Sequence, residues 1–264
     1  MMDTGTGDYL DRLLGTGIPL AGNTGKVRAM IELARLIEAT PNLSILDIGC
    51  IGPSPLEFWR PLLKLYDGQF NLTGIDPDAA GIERTKAHLH EFSRHSITLL
   101  PGNGYELTQS FPQRAFDVVV FTQVLEHVYR YETFLQQVTR VCNPGGHILF
   151  TLDSGHYPRK HLLKGTVKGL LARLGDESHY EHGWRDDELD PVLARLGLEV
   201  VRREYYCTAP SKTLHNRYVD ASQKNTFMRC WFEQEYFLNQ EAMLDETAKS
   251  MFLILFYCAR CRAE

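Results

Sequence analysis

Apolar side chains at Val27, Met30, Ile31, Ala34 and Ile37 recur at the three- and four-residue spacing of one helical face. This predicts an amphipathic helix over 24–39, stopped by Thr40-Pro41-Asn42. The pattern then changes. Leu43 to Ile48 is a short continuous apolar run entering a glycine turn, which predicts a buried strand. Pro55 to Tyr66 follows as a helix with proline near its start, where helix termini accept it. The alternation repeats. Strands are predicted at 70–75, 96–100, 116–121 and 147–152, with helices through about 92 and over 124–141, and a turn at Asn143-Pro144-Gly145-Gly146. Continuous apolar strands separated by amphipathic helices predict a parallel sheet covered on both faces.

After Asp153 the rhythm is different. Residues 158–174 place Leu163, Val167, Leu170, Leu171 and Leu174 on one helical face, flanked by Lys160, Lys164, Lys168 and Arg173. A helix over 186–196 ends at Gly197, and a sixth strand covers 198–206. Residues 208–246 have no clear period until about Arg229, where a helical, aromatic-rich stretch begins, and 251–259 reads as a last strand.

Composition narrows the classes. The 264 residues carry 33 acidic and 28 basic side chains, a formal charge of -5, which argues against general nucleic-acid binding. The first ten residues lack the basic head and apolar run of a secretory signal. The most apolar stretch, 251–257, is too short to cross a bilayer. Six scattered cysteines suit a reducing cytoplasm. Cys258 and Cys261 form an isolated C-x-x-C, short of the ligands a zinc site needs.

Two motifs carry chemistry. Leu46-Asp47-Ile48-Gly49-Cys50-Ile51-Gly52-Pro53 joins the first strand to the next helix. Its glycines let backbone approach a ligand, and Asp47 puts a carboxylate where a phosphate would be repelled and an ammonium welcomed. The turn lacks the G-x-G-x-x-G spacing of dinucleotide sites. Gly74-Ile75-Asp76-Pro77 ends the second strand with a carboxylate suited to a ribose diol, roughly 20 residues beyond the glycine turn. Taken alone, Asp76 would equally cap the next helix. Gly22-Asn23-Thr24-Gly25-Lys26 lacks the first glycine of a P-loop.

With Phe116-Asp117-Val118-Val119, Val124-Leu125-Glu126-His127-Val128 and Asn143-Pro144-Gly145-Gly146, these motifs resemble the class I S-adenosylmethionine-dependent methyltransferases over about 43–152. The Val-Leu-Glu-His-Val stretch is similar to the small-molecule branch that includes ubiquinone-biosynthesis O-methyltransferases. The resemblance implies a doubly wound, Rossmann-like α/β fold: a mostly parallel seven-stranded sheet, helices on both faces and a C-terminal antiparallel strand. It implies a single domain over 1–264, with a cofactor-binding core at 24–152, a helical lid or cover at 153–187 and a substrate-side insertion at 207–250. S-adenosylmethionine is the implied cofactor and a small molecule the implied methyl acceptor, methylated on oxygen or nitrogen.

The resemblance places Asp47, Gly49, Cys50 and Gly52 along the methionine and ribose portion, and Asp76 with Pro77 at the ribose hydroxyls. Asn103 and Gly104 fall at the adenine, and Thr122 and Gln123 border the methionine portion. The family's third glycine is displaced by Pro53-Ser54. His127 is a candidate base because its titration range suits proton removal near neutrality. His156 and Tyr157 are alternatives past the fifth strand, and His179 and His182 are candidates from a flap. Some relatives bind a divalent ion through Glu-x-x-Glu-His. Gln123 replaces the first of those ligands, so no metal is expected. The basic helix at 158–174 is either a cover on the sheet or a lid or peripheral membrane contact, which makes a lipophilic acceptor worth testing. The aromatics of 205–237 suit core or an acceptor pocket. A nicotinamide-dependent oxidoreductase and a non-catalytic binding protein remain as rival readings.

Overall fold

The computed structural model describes residues 3–20, 22–66, 68–92, 94–158, 180–240 and 244–262. Among them, seven strands form one sheet: β1 (Leu43–Ile48), β2 (Phe70–Asp76), β3 (Ser96–Pro101), β4 (Phe116–Thr122), β5 (Cys142–Asp153), β6 (Leu198–Thr208) and β7 (Phe252–Cys261). Their spatial order is β3-β2-β1-β4-β5-β7-β6. The pairs from β3 to β5 are parallel, and β7 runs antiparallel to both its neighbours. This is the doubly wound, mostly parallel sheet that the hydrophobic pattern and the family resemblance predict.

The surrounding helices are α1 (Thr4–Gly15), α2 (Thr24–Ala39), α3 (Pro53–Leu65), α4 (Ala79–Leu89), α5 (Leu107–Ser110), α6 (Tyr131–Val141), α7 (Asp186–Arg195), α8 (Ala209–Arg217), α9 (Lys224–Gln240) and α10 (Glu246–Lys249). Strand alternation splits the apolar side chains between two cores. Ile45, Val118, Val120, Leu149 and Phe256 pack with α1 to α4 and α9. Leu46, Val119, Phe121, Ile148 and Phe150 pack with α5, α6 and α7 on the opposite face. Both faces are therefore dry, which is why the central strands read as unbroken apolar runs. On the second face Phe121, Phe150 and Tyr257 stack in sequence across β4, β5 and β7, with ring centroids 4.7 and 5.0 Å apart.

The region that had no clear period is tied into the first core by one buried carboxylate. Glu235 on α9 accepts from Thr24 Oγ1 at 2.5 Å, Trp231 Nε1 at 2.6 Å, and the Thr208 and Cys207 amides at 2.7 and 2.8 Å. Arg28 on α2, fully buried, donates to Glu204 on β6 at 2.6 Å and to Glu32 at 3.0 Å.

Several boundaries differ from the sequence reading. α1 falls where only a polar, glycine-rich segment was expected. The Asp3 carboxylate caps it through the Thr6 amide at 2.8 Å, and Leu10 and Leu13 bury against the first core. The helix expected over 124–141 divides. Leu125–His127 is one 3-10 turn, Val128 is extended, and α6 starts only at Tyr131. The chain must turn off the sheet edge first, and Gln123 makes that turn with φ 56°. Asn143 to Gly146 lies within the β5 span, at a register shift opposite Phe116 to Val118. The expected basic helix at 158–174 lies outside the described residues beyond Pro158, as does His179. No helix among the described residues is long and apolar enough to cross a membrane.

Candidate active site

The sheet order reverses between β1 and β4, and at such a switch point the diverging loops leave a crevice beyond the strand ends. A cavity of about 470 Å³ opens there. Gly49, Asp76, Pro77, Asn103, Gly104, Thr122, Gln123 and His127 line it, delivered by the ends of β1, β2, β3 and β4.

Gly49 has φ 82°, and a side-chain carbon there would lie 2.7 Å from Val124. Both the backbone conformation and the space demand glycine. Gly104 is held differently. A side-chain carbon on it would meet the Phe134 ring at 2.6 Å, so only glycine lets the chain pass this close to that ring. Asn103 accepts from the Tyr105 amide at 3.0 Å, which caps the short 3-10 turn Gly104–Glu106.

Asp76 ends β2 half-buried. Its Oδ1 accepts from the Asp78 amide at 3.0 Å, and no partner engages Oδ2 among the described residues. Burial raises its pKa above the ordinary carboxylate value. The Asp78 amide opposes that rise and the Asp78 charge adds to it.

Asp47 lies deeper. It pairs with Gly74 in the β1–β2 register, two residues short of Asp76, and its carboxylate accepts from Trp59 Nε1 at 2.6 Å. Complete burial pushes its pKa up to about 7, against the Trp59 hydrogen bond and the charge of Lys26. Asp47 is therefore under the floor of the cavity and not on its wall. Cys50 is also off the wall, buried beside Gly74. Gly52, at φ 90°, lines a neighbouring cavity instead.

The three candidate bases separate. His127 is exposed on the cavity wall, and its Nδ1 lies 3.1 Å from the Tyr180 carbonyl oxygen. That contact requires Nδ1–H as donor, which leaves the Nε2 lone pair available. His156 is buried elsewhere, with Nε2 2.8 Å from Asp186 and Nδ1 3.0 Å from Glu246. Both its ring nitrogens face carboxylates, so neither is presented to a substrate. Hydrogen bonds from Tyr205, His156 and Lys249 hold Asp186 well below the usual carboxylate range despite its burial. Tyr157 is half-buried and on neither cavity wall. The described His182 amide donates to the Glu126 carbonyl at 2.8 Å, which brings the segment after 179 over the His127 turn.

Glu126 is buried while His127 is exposed, so the two do not share a wall. Among the described residues no group of three His, Cys, Asp or Glu side chains is placed to hold a metal. Cys258 and Cys261, three apart on β7, fall in opposite cores and cannot chelate together.

One wall residue escaped the sequence reading. Lys26, in the first turn of α2, is 2% exposed and lines this cavity together with the larger one next to it. Burial pushes its pKa down to about 8, against the pull of Glu57, Asp47 and Glu126. Its spacing, one helical turn before Met30, signals a buried face but not the cavity it borders. The neighbouring cavity encloses about 860 Å³ and shares Lys26, Ile51 and Gln123 with the first. Asn23, the N-cap of α2, donates to Gln123 Oε1 at 3.2 Å across that boundary.

A doubly wound sheet of this order, with a glycine turn after β1 and a carboxylate ending β2, defines the class I S-adenosylmethionine-dependent methyltransferases. Residues 11–203 match the family model described as a methyltransferase domain, and the chain belongs to that family. It is 28% identical over 162 residues to a ubiquinone biosynthesis O-methyltransferase of Rhizobium etli, covering 61% of this chain and 62% of the relative. The match thus spans less than two thirds of that relative's length. A demethylmenaquinone methyltransferase of Bacillus cereus is 24% identical over 65% of this chain and 76% of its own. Among solved structures, phosphoethanolamine N-methyltransferase 2 of Haemonchus contortus, in complex with S-adenosyl-L-methionine, superposes with a TM-score of 0.55. It is 14% identical, over 88% of this chain and 53% of its own.

Proposed function

We propose that this chain, as a single methyltransferase domain, transfers a methyl group from S-adenosylmethionine to an oxygen or nitrogen of a small-molecule acceptor. One observation carries the reading: a glycine turn, a half-buried carboxylate, a glycine packed on Phe134 and an exposed histidine converge from four strand ends on one cavity. The wall suits that cofactor. Asp76 offers an oxygen for a ribose diol, and Asn103, Gly104 and Phe134 line the part of the wall where a purine would lie. The glycine turn lacks the G-x-G-x-x-G spacing that seats a dinucleotide's diphosphate on backbone amides at a helix N-terminus. The named activities of the quinone relatives support methylation of a small molecule.

When bound, S-adenosylmethionine supplies a sulfonium methyl: the acceptor's lone pair forms the new bond to carbon while the carbon–sulfur pair stays on sulfur. The chain's own work is alignment and proton removal. Asp76 and Asn103 hold the nucleoside end, Thr122 and Gln123 border the methionine end, and His127 Nε2 takes the acceptor's proton. Five buried cysteines, all unpaired, support a reducing, cytoplasmic setting.

Calorimetry with S-adenosylmethionine and S-adenosylhomocysteine tests the reading. Micromolar binding is expected, about -8 kcal/mol. Asp76→Ala should weaken it by about a hundredfold, the worth of one or two charge-assisted hydrogen bonds. Equal affinity in Asp76→Ala would remove the ribose assignment. Absence of binding in the wild type would remove the function.

A further inference from the structure

The larger cavity has a charge pattern that the cofactor site does not explain. Among its described lining residues five are basic, Lys26, Arg60, Arg84, Lys212 and Lys224, against two acidic, Glu57 and Glu91. Surface pairs already engage two of the five: Arg60 lies 2.9 Å from Glu91, and Arg84 lies 3.2 Å from Asp78. Lys212 on α8 and Lys224 at the start of α9 are half-buried and form no ion pair among the described residues. Lys212 also lies close enough to Lys26 for its charge to add a little to the burial that depresses the Lys26 pKa. The protein as a whole carries a formal charge of -5, so this concentration of cations runs against its general balance. A concave wall of one sign, partly withdrawn from water, focuses its field and attracts the opposite charge.

The rest of the wall mixes polar side chains, among them Asn23, Gln123 and Asn216, with an apolar strip. Ile18 and Leu20 come from the loop before α2, and Ile51 and Leu56 from around the start of α3. Ile51 also lines the cofactor cavity, so the apolar surface continues through the Lys26–Gln123 boundary to where His127 stands.

We propose that the methyl acceptor is an amphipathic small acid, its apolar body against Ile18, Leu20 and Ile51 and its carboxylate or phosphate between Lys212 and Lys224. The atom to be methylated then enters at Gln123. This rests on the methyltransferase reading and adds the substrate class to it. No proton or electron is exchanged at the lysines, which only bind and orient.

The test uses the full chain loaded with S-adenosylhomocysteine, titrated by calorimetry with phenyl phosphate, benzoate and the neutral isostere benzamide. At least one anion should bind about tenfold tighter than benzamide. Whichever anion wins decides between phosphate and carboxylate. In the double variant Lys212→Gln/Lys224→Gln that advantage should vanish, with affinity for S-adenosylhomocysteine unchanged, and added salt should erode it in the wild type. Equal binding of benzamide and both anions, or anion binding untouched in the double variant, overturns the proposal and leaves the methyltransferase reading standing. Failure of S-adenosylhomocysteine to bind the wild type removes both.

Discussion

Gln123 has φ 56°, a left-handed backbone conformation that costs a non-glycine residue about 1 kcal/mol or more. Two hydrogen bonds hold it there: its amide donates to the Thr151 carbonyl at 2.7 Å, and Asn23 donates to its side chain. The turn it makes is what swings His127 onto the cavity wall. His127→Ala should therefore lower turnover by about a hundredfold while leaving cofactor affinity intact. Unchanged turnover under single-turnover conditions would exclude it as the base. Asp76 imposes a separate dependence. Its carboxylate must be charged to accept from a diol, and its pKa is raised by burial. As pH falls, cofactor affinity should start to drop above the ordinary carboxylate range, and a calorimetric pH series that drops only at the model-peptide value would contradict this. Asp76, Gly49 and His127 were read from local motifs and family resemblance, and the sheet order brings them to one cavity. The positions of Lys26 and Asp47 were not legible. One acquires its role from walls built around residues 51 and 123, and the other is withdrawn from the cavity by an indole twelve residues away.

At the scale of elements, α9 shows what a single buried carboxylate does. Glu235 satisfies the Thr24 hydroxyl, the Trp231 indole and two amides at the end of β6, so it joins α2, β6 and α9 at one point. Glu235→Ala would take this acceptor from Thr24, Trp231 and Thr208, the Cys207 amide keeping Thr24 Oγ1 at 2.8 Å, and should cost about 3 kcal/mol. Urea denaturation would read this as a lower midpoint at unchanged slope. A midpoint equal to wild type would show that water replaces the carboxylate. This region was the least legible in the sequence, and the reason is physical. α9 keeps a helical period in Met228, Trp231, Phe232 and Tyr236, but nothing local shows that Glu235 on the same face closes on Thr24 some 200 positions away. α1 was hidden for the opposite reason. Two glycines in its first turn mask a helix that the Asp3 cap and two leucines are enough to hold. α2, with a regular apolar face, was fully legible.

Across the whole molecule the central parallel strands were the most legible feature, because burial on both faces leaves them mostly apolar, with few polar breaks such as Ser44 and Asp117. Their spatial order is not contained in any local pattern and rested on family resemblance. That order has a consequence for how the protein is made. β7 lies between β5 and β6, yet it follows both in the chain. On the ribosome, β6 emerges with no strand to pair with, and β5 waits with a bare edge until Phe252 to Cys261 leave the exit tunnel. A nascent chain stalled after Arg262 still holds β7 in the tunnel and should be cut by protease within 198–208, while the same chain released from the ribosome should resist. Equal resistance would mean that β6 finds its place without the strand beside it.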